Sequence, residues 1–242
     1  MTLALLKPAY RRLLDLILAE RHVVRRFMAR QLPATGARLA LDLGAGASPF
    51  RAAMQQDLPG LRVVASDRQW RDVDLVADAA RLPFAAGSLD LVSAFQLLQY
   101  TESTAVLSEI RRVLRPGGHC LLLCPCLVAS TSPADQRRWT LEGLAAEVTR
   151  AGFTPVAQNR IGGIILTITG LAAQAVSFSK VGWIAARQDH GGIGGLLRLA
   201  WNLVVPLPLH LLGLILLPLD QALPASRFYI GSIILARRND DD

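Results

Sequence analysis

Along the first two thirds of the chain, short continuous apolar runs alternate with stretches in which apolar residues recur every three or four positions. Continuous runs bounded by glycine, proline or acids read as strands of a parallel sheet covered on both faces, and the second spacing reads as helices with one buried side. Residues 39–43, 60–67, 73–78, 87–94, 119–126 and 155–161 are such runs, and 227–237 adds a last one after a long interval. Residues 50–56, 104–114 and 139–153 read as the helices between them, with Thr140 a candidate N-cap and Gly152 a stop for the third. Leu82-Pro83-Phe84 and Arg115-Pro116-Gly117-Gly118 read as turns, since proline cannot continue a helix. Ahead of the first run, residues 2–32 predict one or two helices. Leu13, Leu14, Ile17, Leu18, Val24, Phe27 and Met28 form the apolar side, Arg11, Arg12, Arg21, Arg25, Arg26 and Arg30 much of the other, and Pro33 and Gly36 end it. Strand and helix alternating in this way predict an α/β fold.

The pattern changes after residue 160. No charged residue occurs from 161 to 179 or from 199 to 219, and between these runs lie charges, His190 and the glycine cluster 191–195. As a helix, each run could cross about 30 Å of hydrocarbon. Three readings stand: a membrane-spanning hairpin, contact with one leaflet, or packing on the protein as a lid. Pro206, Pro208 and Pro218 with His210 argue against a span in the second run, and Gly162, Gly163, Thr167, Thr169, Gln174 and Ser177 make the first weakly apolar. Contact with one leaflet is the preferred reading. Because a strong strand pattern follows at 227–237, the apolar block is an insertion before the last strand.

Composition sharpens this picture in two ways. Hydrophobic residues make up 52% of the 242, and mean hydropathy is +0.34, an excess that the two uncharged runs account for. The net charge of +7 comes almost wholly from arginine, Lys7 and Lys180 being the only lysines. The arginines are scattered and not interleaved with aromatics, so no nucleic-acid partner is expected. Cys120, Cys124 and Cys126 fall at even spacing within one strand, without metal-ligand spacing; they predict buried free thiols, no metal, and a reducing, cytoplasmic setting. The N-terminal apolar runs are broken by Lys7, Arg11, Arg12 and Asp15, unlike a secretory signal.

The candidate chemistry starts at residues 39–50. The first strand carries Asp42 and breaks at Gly44-Ala45-Gly46, where a tight turn needs a positive φ and a bare backbone. Strand, glycine turn and helix make the first half of a nucleotide-binding unit. The third glycine of the dinucleotide pattern, which lets a helix N-terminus approach a pyrophosphate, is replaced by Pro49. Asp67 ends the second strand a little over ~20 residues on, where an acid accepts the ribose hydroxyls of a nucleoside, and Arg68 follows.

The segments "LDLGAGAS", "VVASD", "DAARLPFAAGSLDLV" and "EIRRVLRPGGHCLLLCP" resemble, in order and spacing, the class I S-adenosylmethionine-dependent methyltransferases, and most of all the branch holding the ubiquinone and menaquinone methyltransferases. The resemblance implies a Rossmann-like seven-stranded methyltransferase sheet, its seventh strand antiparallel, with an N-terminal helical segment and the hydrophobic insertion added. It implies S-adenosyl-L-methionine as cofactor, with Asp42, Gly44, Ala45 and Gly46 around its methionine end. Asp67 would then take the ribose, Arg68, Asp78 and Ala79 would flank the adenine, and Phe95 and Gln96 would lie beside the sulfonium. The segment after the fourth strand, 95–100, lines the space between cofactor and substrate in that family, which makes Tyr100 a substrate-side candidate; Arg138-Trp139-Thr140 with Glu142-Gly143-Leu144 is similar to a segment of small methyltransferases acting in surface-polysaccharide synthesis, which adds Arg138 and Trp139. The histidine and tyrosines of that segment are here 132–137, Ser-Pro-Ala-Asp-Gln-Arg, so no catalytic base is carried over.

These readings divide the chain into a helical segment, 1–36, a cofactor-binding core, 37–160 with 227–238, and the insertion, 161–226. The expected activity is methyl transfer to an apolar or lipid-linked small molecule at the cytoplasmic face of a membrane, contacted through 161–226; the basic N-terminal helix reads first as packed over the core with a solvated basic face, and in the alternative as a second contact with anionic headgroups. A catalytically silent membrane scaffold with the same fold and, against Pro49, an NAD-dependent oxidoreductase are the alternatives.

Overall fold

The computed structural model describes residues 16–46, 48–69, 72–176, 201, 204–223 and 227–240. The N-terminal stretch 2–15 and the charged, glycine-rich stretch 180–198 discussed above lie outside the described residues. The chain divides into two compact units: Val24–Cys126, Gln136–Ile161 and Gly231–Asp242 form one, and Met1–Val23, Leu127–Asp135 and Gly162–Ile230 the other.

The first unit is built on a seven-stranded sheet. Its strands are β1 (Leu39–Leu43), β2 (Arg62–Asp67), β3 (Leu75–Val76), β4 (Leu89–Phe95), β5 (Leu114–Pro125), β6 (Phe153–Ile161) and β7 (Gly231–Arg238), in the spatial order β3-β2-β1-β4-β5-β7-β6. Neighbours from β3 to β5 pair in parallel, and β7 runs antiparallel to both β5 and β6. Central residues such as Leu41, Leu91, Val92, Leu121 and Ile234 are fully buried, as continuous apolar runs require. Helices α1 (Ala19–Gln31), α2 (Arg51–Asp57), α3 (Ser103–Val113) and α4 (Leu141–Arg150) accompany the sheet. On α1, Val24, Phe27 and Met28 are buried and Arg25, Arg26 and Arg30 exposed; Pro33 enters a 3-10 turn, Leu32–Thr35, which Gly36 closes at φ 59°. On α3, Val106, Leu107, Ile110 and Val113 are buried, and Thr140 Oγ1 caps α4 by accepting from Gly143 N–H at 3.0 Å.

Two elements depart from the sequence reading. The run 73–78 shortens to the two-residue β3. The turn expected at 115–118 lies inside a strand: β5 starts at Leu114, opposite Leu89, and regains register only at His119, opposite Leu91. The extra residues bulge out around Asp90, whose Oδ1 accepts from Arg115 Nε at 2.6 Å, and a Cβ on Gly118 would lie 2.9 Å from Arg115 O. Pro116 and the two glycines make a bulge and do not end the strand, because Leu114 reaches a neighbouring strand to pair with.

In the other unit, the uncharged runs are helical over α5 (Ile164–Val176), α6 (Leu207–Ile215) and α7 (Leu217–Ala222). Pro208 and Pro218 fall in the first turns of α6 and α7, where no N–H is needed, and Pro206 is the N-cap of α6, so the residues that argue against one long helix instead begin short ones. Buried Asp220 on α7 accepts from Gly163 and Ile165 N–H at 2.6 and 2.8 Å and so caps α5. At Gly213 a Cβ would lie 2.7 Å from Thr169 Oγ1, so α6 approaches α5 closely. Among the described residues, no helix is long and apolar enough to cross a membrane.

Candidate cofactor site at the strand ends

The strand order reverses between β1 and β4, and in open α/β sheets ligands bind outside the carboxyl ends of the strands at such a switch point. Leu43 pairs with Ser66 on one side and Ala94 on the other. The residues next along the three chains are therefore Asp67, Gly44 and Phe95, side by side.

Each corner is fixed by its own contacts. Gly44 and Gly46 adopt φ 67° and 52°, and Ala45 N–H donates to Ser66 O at 3.0 Å, tying the turn to β2. Asp67 Oδ2 accepts from Gly46 N–H at 3.1 Å and its Oδ1 from Gln69 N–H at 2.8 Å. Thus the carboxylate closing β2 leans against the turn closing β1, and two backbone bonds set its orientation. Asp78 Oδ2 lies 3.6 Å from Arg68 Nη1, which brings the adenine-side candidates together on the β2–β3 flank, with Ala79 buried beside them. On the other flank the Phe95 ring packs on Phe50, centroids 4.8 Å apart. Gln96 follows at φ 55°, a conformation that costs energy in a residue with a Cβ; its N–H donates to Leu123 O at 2.8 Å.

Asp42 differs from Asp67 and Asp78. It is 1% exposed, and its oxygens accept from Ser48 Oγ at 2.5 Å and Ser93 Oγ at 2.9 Å. Burial raises its pKa, against the pull of the two hydroxyls and of Arg51. Expected at the methionine end, Asp42 sits within the protein and holds Ser48, two residues past the glycine turn.

The substrate-side candidates follow the ends of β4 and β5. Tyr100 closes a 3-10 turn, Leu98–Tyr100, and is exposed. Gln136 N–H donates to Gln99 O at 3.0 Å and Trp139 N–H to Pro125 O at 2.9 Å, so 136–139 lies against both strand ends. Within it Arg138 is half-buried, and the buried Trp139 sends its indole N–H to Glu147 on α4. Sequence reasoning missed Ser48, Ser93, Leu97 and Gln99. A Cβ on Gly44 would lie 2.7 Å from Leu97 Cδ1, so this glycine is required by the protein's own packing as well as by its φ. Buried Gln99 donates from Nε2 to Gln96 Oε1 at 3.1 Å. The serine hydroxyls carry no positional signal in sequence, but Gln96 and Gln99, three apart just after β4, do.

The parallel sheet with one antiparallel strand slotted in beside its edge, and a glycine turn at the switch point, define a nucleotide-binding fold of the methyltransferase type. Residues 41–122 match the family model described as "Methyltransferase domain", in keeping with the resemblance to the class I S-adenosyl-L-methionine-dependent methyltransferases. It is 36% identical over 124 residues to a malonyl-[acyl-carrier protein] O-methyltransferase of Alcanivorax borkumensis, a match covering 42% of this chain and 40% of that one. With a demethylmenaquinone methyltransferase of Beutenbergia cavernae it shares 41% over 106 residues, 38% of this chain and 43% of that one. The matched stretch thus spans less than half the length of either relative. Among solved structures, phosphoethanolamine N-methyltransferase 2 of Haemonchus contortus, in complex with S-adenosyl-L-methionine, superposes with a TM-score of 0.53 at 16% identity, covering 89% of this chain and 53% of that one, a likeness of fold.

S-adenosyl-L-methionine is the cofactor of this family. The chemistry of the corner fits it: a ribose presents two hydroxyl donors, and Asp67 is an acceptor-only group held by backbone at the mouth of the turn.

Proposed function

We propose that this protein transfers the methyl group of S-adenosyl-L-methionine to an apolar or lipid-linked small molecule. The observation that carries the reading is the 3.1 Å bond from Gly46 N–H to the Asp67 carboxylate, which makes one corner of two strand ends lying 21 residues apart in sequence. In this reading Gly44, Ala45 and Gly46 receive the methionine end, Asp67 takes the ribose hydroxyls, Arg68, Asp78 and Ala79 flank the adenine, and Phe95 and Gln96 lie beside the sulfonium. Asp42 acts from beneath, holding Ser48. When bound, S-adenosyl-L-methionine supplies a methyl carbon made electrophilic by its sulfonium. The chain's part is to align the acceptor with that carbon and keep water away. The carboxamides of Gln96 and Gln99 orient by hydrogen bonding but take up no proton at neutral pH, so they suit an acceptor that is itself nucleophilic. Tyr100, Arg138 and Trp139 remain the substrate-side residues of the proposal, with Trp139 acting through its packing.

Two observations support an apolar acceptor. One relative is named as a demethylmenaquinone methyltransferase, an enzyme of an apolar quinone. On α5, Ile164, Ile168 and Leu171 are exposed at helical spacing, while Leu166, Thr167, Thr169 and Ala173 are buried on the other side. Leu211, Leu212 and Ile215 on α6 are exposed as well, Ile215 at 70%. A helix that is apolar on both sides is ordinarily buried on both, so in this reading the insertion lies on one leaflet, at the cytoplasmic face of the membrane.

The test is calorimetry with S-adenosyl-L-methionine, followed by incubation with methyl-labelled cofactor and a total lipid extract. Heat of binding and label in the lipid phase are expected. A protein that takes up no cofactor is the silent scaffold instead, and label that never enters the lipid phase removes the apolar acceptor.

A further inference from the structure

We propose that Glu109 and Arg112, on α3, set the adenine side of the cofactor site without touching the cofactor. The proposal rests on the methyltransferase reading above and names two positioning residues for it.

The segment from β3 to β4 has little regular structure of its own. After two residues of β3 come an isolated bridge between Asp78 and Arg81 and the turn at Leu82-Pro83-Phe84. This stretch nevertheless carries Asp78 and Ala79. Its near end is held locally, Asp78 Oδ1 accepting from Ala80 N–H at 2.9 Å and Asp78 O from Arg81 N–H at 3.0 Å. Its far end is held by α3 alone among these contacts. Leu82 N–H donates to Glu109 Oε1 at 2.6 Å. The Arg112 guanidinium donates to Leu82 O at 3.0 Å and Phe84 O at 2.9 Å, and Arg112 O accepts from Gly87 N–H at 2.9 Å.

Glu109 and Arg112 also lock each other, Nε to Oε2 at 2.8 Å and Nη2 to Oε1 at 2.7 Å. A planar guanidinium that meets a carboxylate with two parallel bonds and has donors left for two carbonyls fixes all of them in one geometry; an ammonium does not. The side chain of Glu109 is only 13% exposed, and the pull of Arg112 holds its carboxyl below the usual range. Helix α3 is in turn anchored by buried Val106, Leu107, Ile110 and Val113. The segment bearing Asp78 is therefore as fixed as the helix. Opening the clamp would free 82–84 and let the carboxylate four residues upstream drift from the purine edge.

The experiment uses the full-length protein and two probes, S-adenosylhomocysteine and S-inosylhomocysteine, which carries an oxo group where adenine has its amino group. Calorimetric affinities are measured for the parent, Arg112→Ala, Arg112→Lys and Glu109→Gln at a temperature where circular dichroism shows each one folded. The parent should prefer the adenosyl compound. Arg112→Ala should lose roughly tenfold in that affinity, the worth of one charge-assisted hydrogen bond, and less for the inosyl compound, so that the preference narrows. Arg112→Lys should recover part of it. Glu109→Gln, which keeps an acceptor for Leu82 N–H, should lose less and carries the comparison should Arg112→Ala fail to fold. If melting temperatures fall while both affinities and their ratio hold, the pair only braces the fold and the proposal is overturned. A parent that does not bind S-adenosylhomocysteine overturns the cofactor reading and this proposal with it, and the parent titration tells that failure from the first.

Discussion

Asp42 and Asp67 belong to neighbouring strands, and the fold gives them opposite tasks. Asp42 is sealed in by Ser48 and Ser93, whereas Asp67 stands at the mouth of the turn with its orientation set by two backbone N–H groups. Replacing Asp67 by Ala should weaken binding of S-adenosyl-L-methionine by about 1–3 kcal/mol through the lost ribose bonds. Calorimetry on the folded variant checks this, and unchanged affinity would take Asp67 out of the site. The corner at Gly44-Ala45-Gly46 was readable in sequence because positive φ is a local demand that glycine meets. The seating of Asp42 was not, since Ser93 lies 51 residues away on β4 and no local rule couples them. Leu97, which crowds Gly44, was missed for the same reason.

At the scale of elements, two carboxylates pin pieces of chain together. Glu109 joins α3 to the turn after β3. Asp90 joins β4 to the residues entering β1 and β5, accepting from Arg38 and Leu39 N–H at 2.9 Å each and from Arg115 Nε at 2.6 Å. Burial alone would raise the Asp90 pKa, but the Arg115 guanidinium and the two backbone donors outweigh it, and the Glu109 pKa is lowered chiefly by Arg112. Both folded values lie below the ordinary ones, so their stabilisation is complete above pH 3.8 for Asp90 and 4.5 for Glu109 and is lost as pH falls through the folded values. Urea unfolding midpoints should therefore decline as pH drops below about 4.5, and Asp90→Asn or Glu109→Gln should flatten that decline. An unaltered slope in both variants would show that other groups govern it. The strands themselves were legible from their apolar runs. The passage of β5 through the 115–118 bulge was not, because proline and glycines announce a turn while the pairing of Leu114 with Leu89 depends on a strand elsewhere in the chain.

Across the whole molecule, the excess of apolar residues has one destination, the insertion between β6 and β7. Liposome flotation of the full chain and of a variant lacking residues 161–226 should differ, the full chain rising with the vesicles. Equal partitioning would count against the insertion as the anchor. The sequence by itself determined which runs are strands, where the first strand must turn, which acid closes the second, and that the last strand stands apart from the rest by a long apolar block. These are set by periodicity, by the φ preferences of glycine and proline, and by the absence of charge, all properties of adjacent residues. Only the tertiary structure decided that β7 lies between β5 and β6, that Asp42 faces inward and Asp67 outward, and that two residues of α3 hold the loop carrying Asp78. Those depend on which strand edges and which donors meet after the sheet closes, and contacts between residues far apart in the chain leave no periodic trace in it.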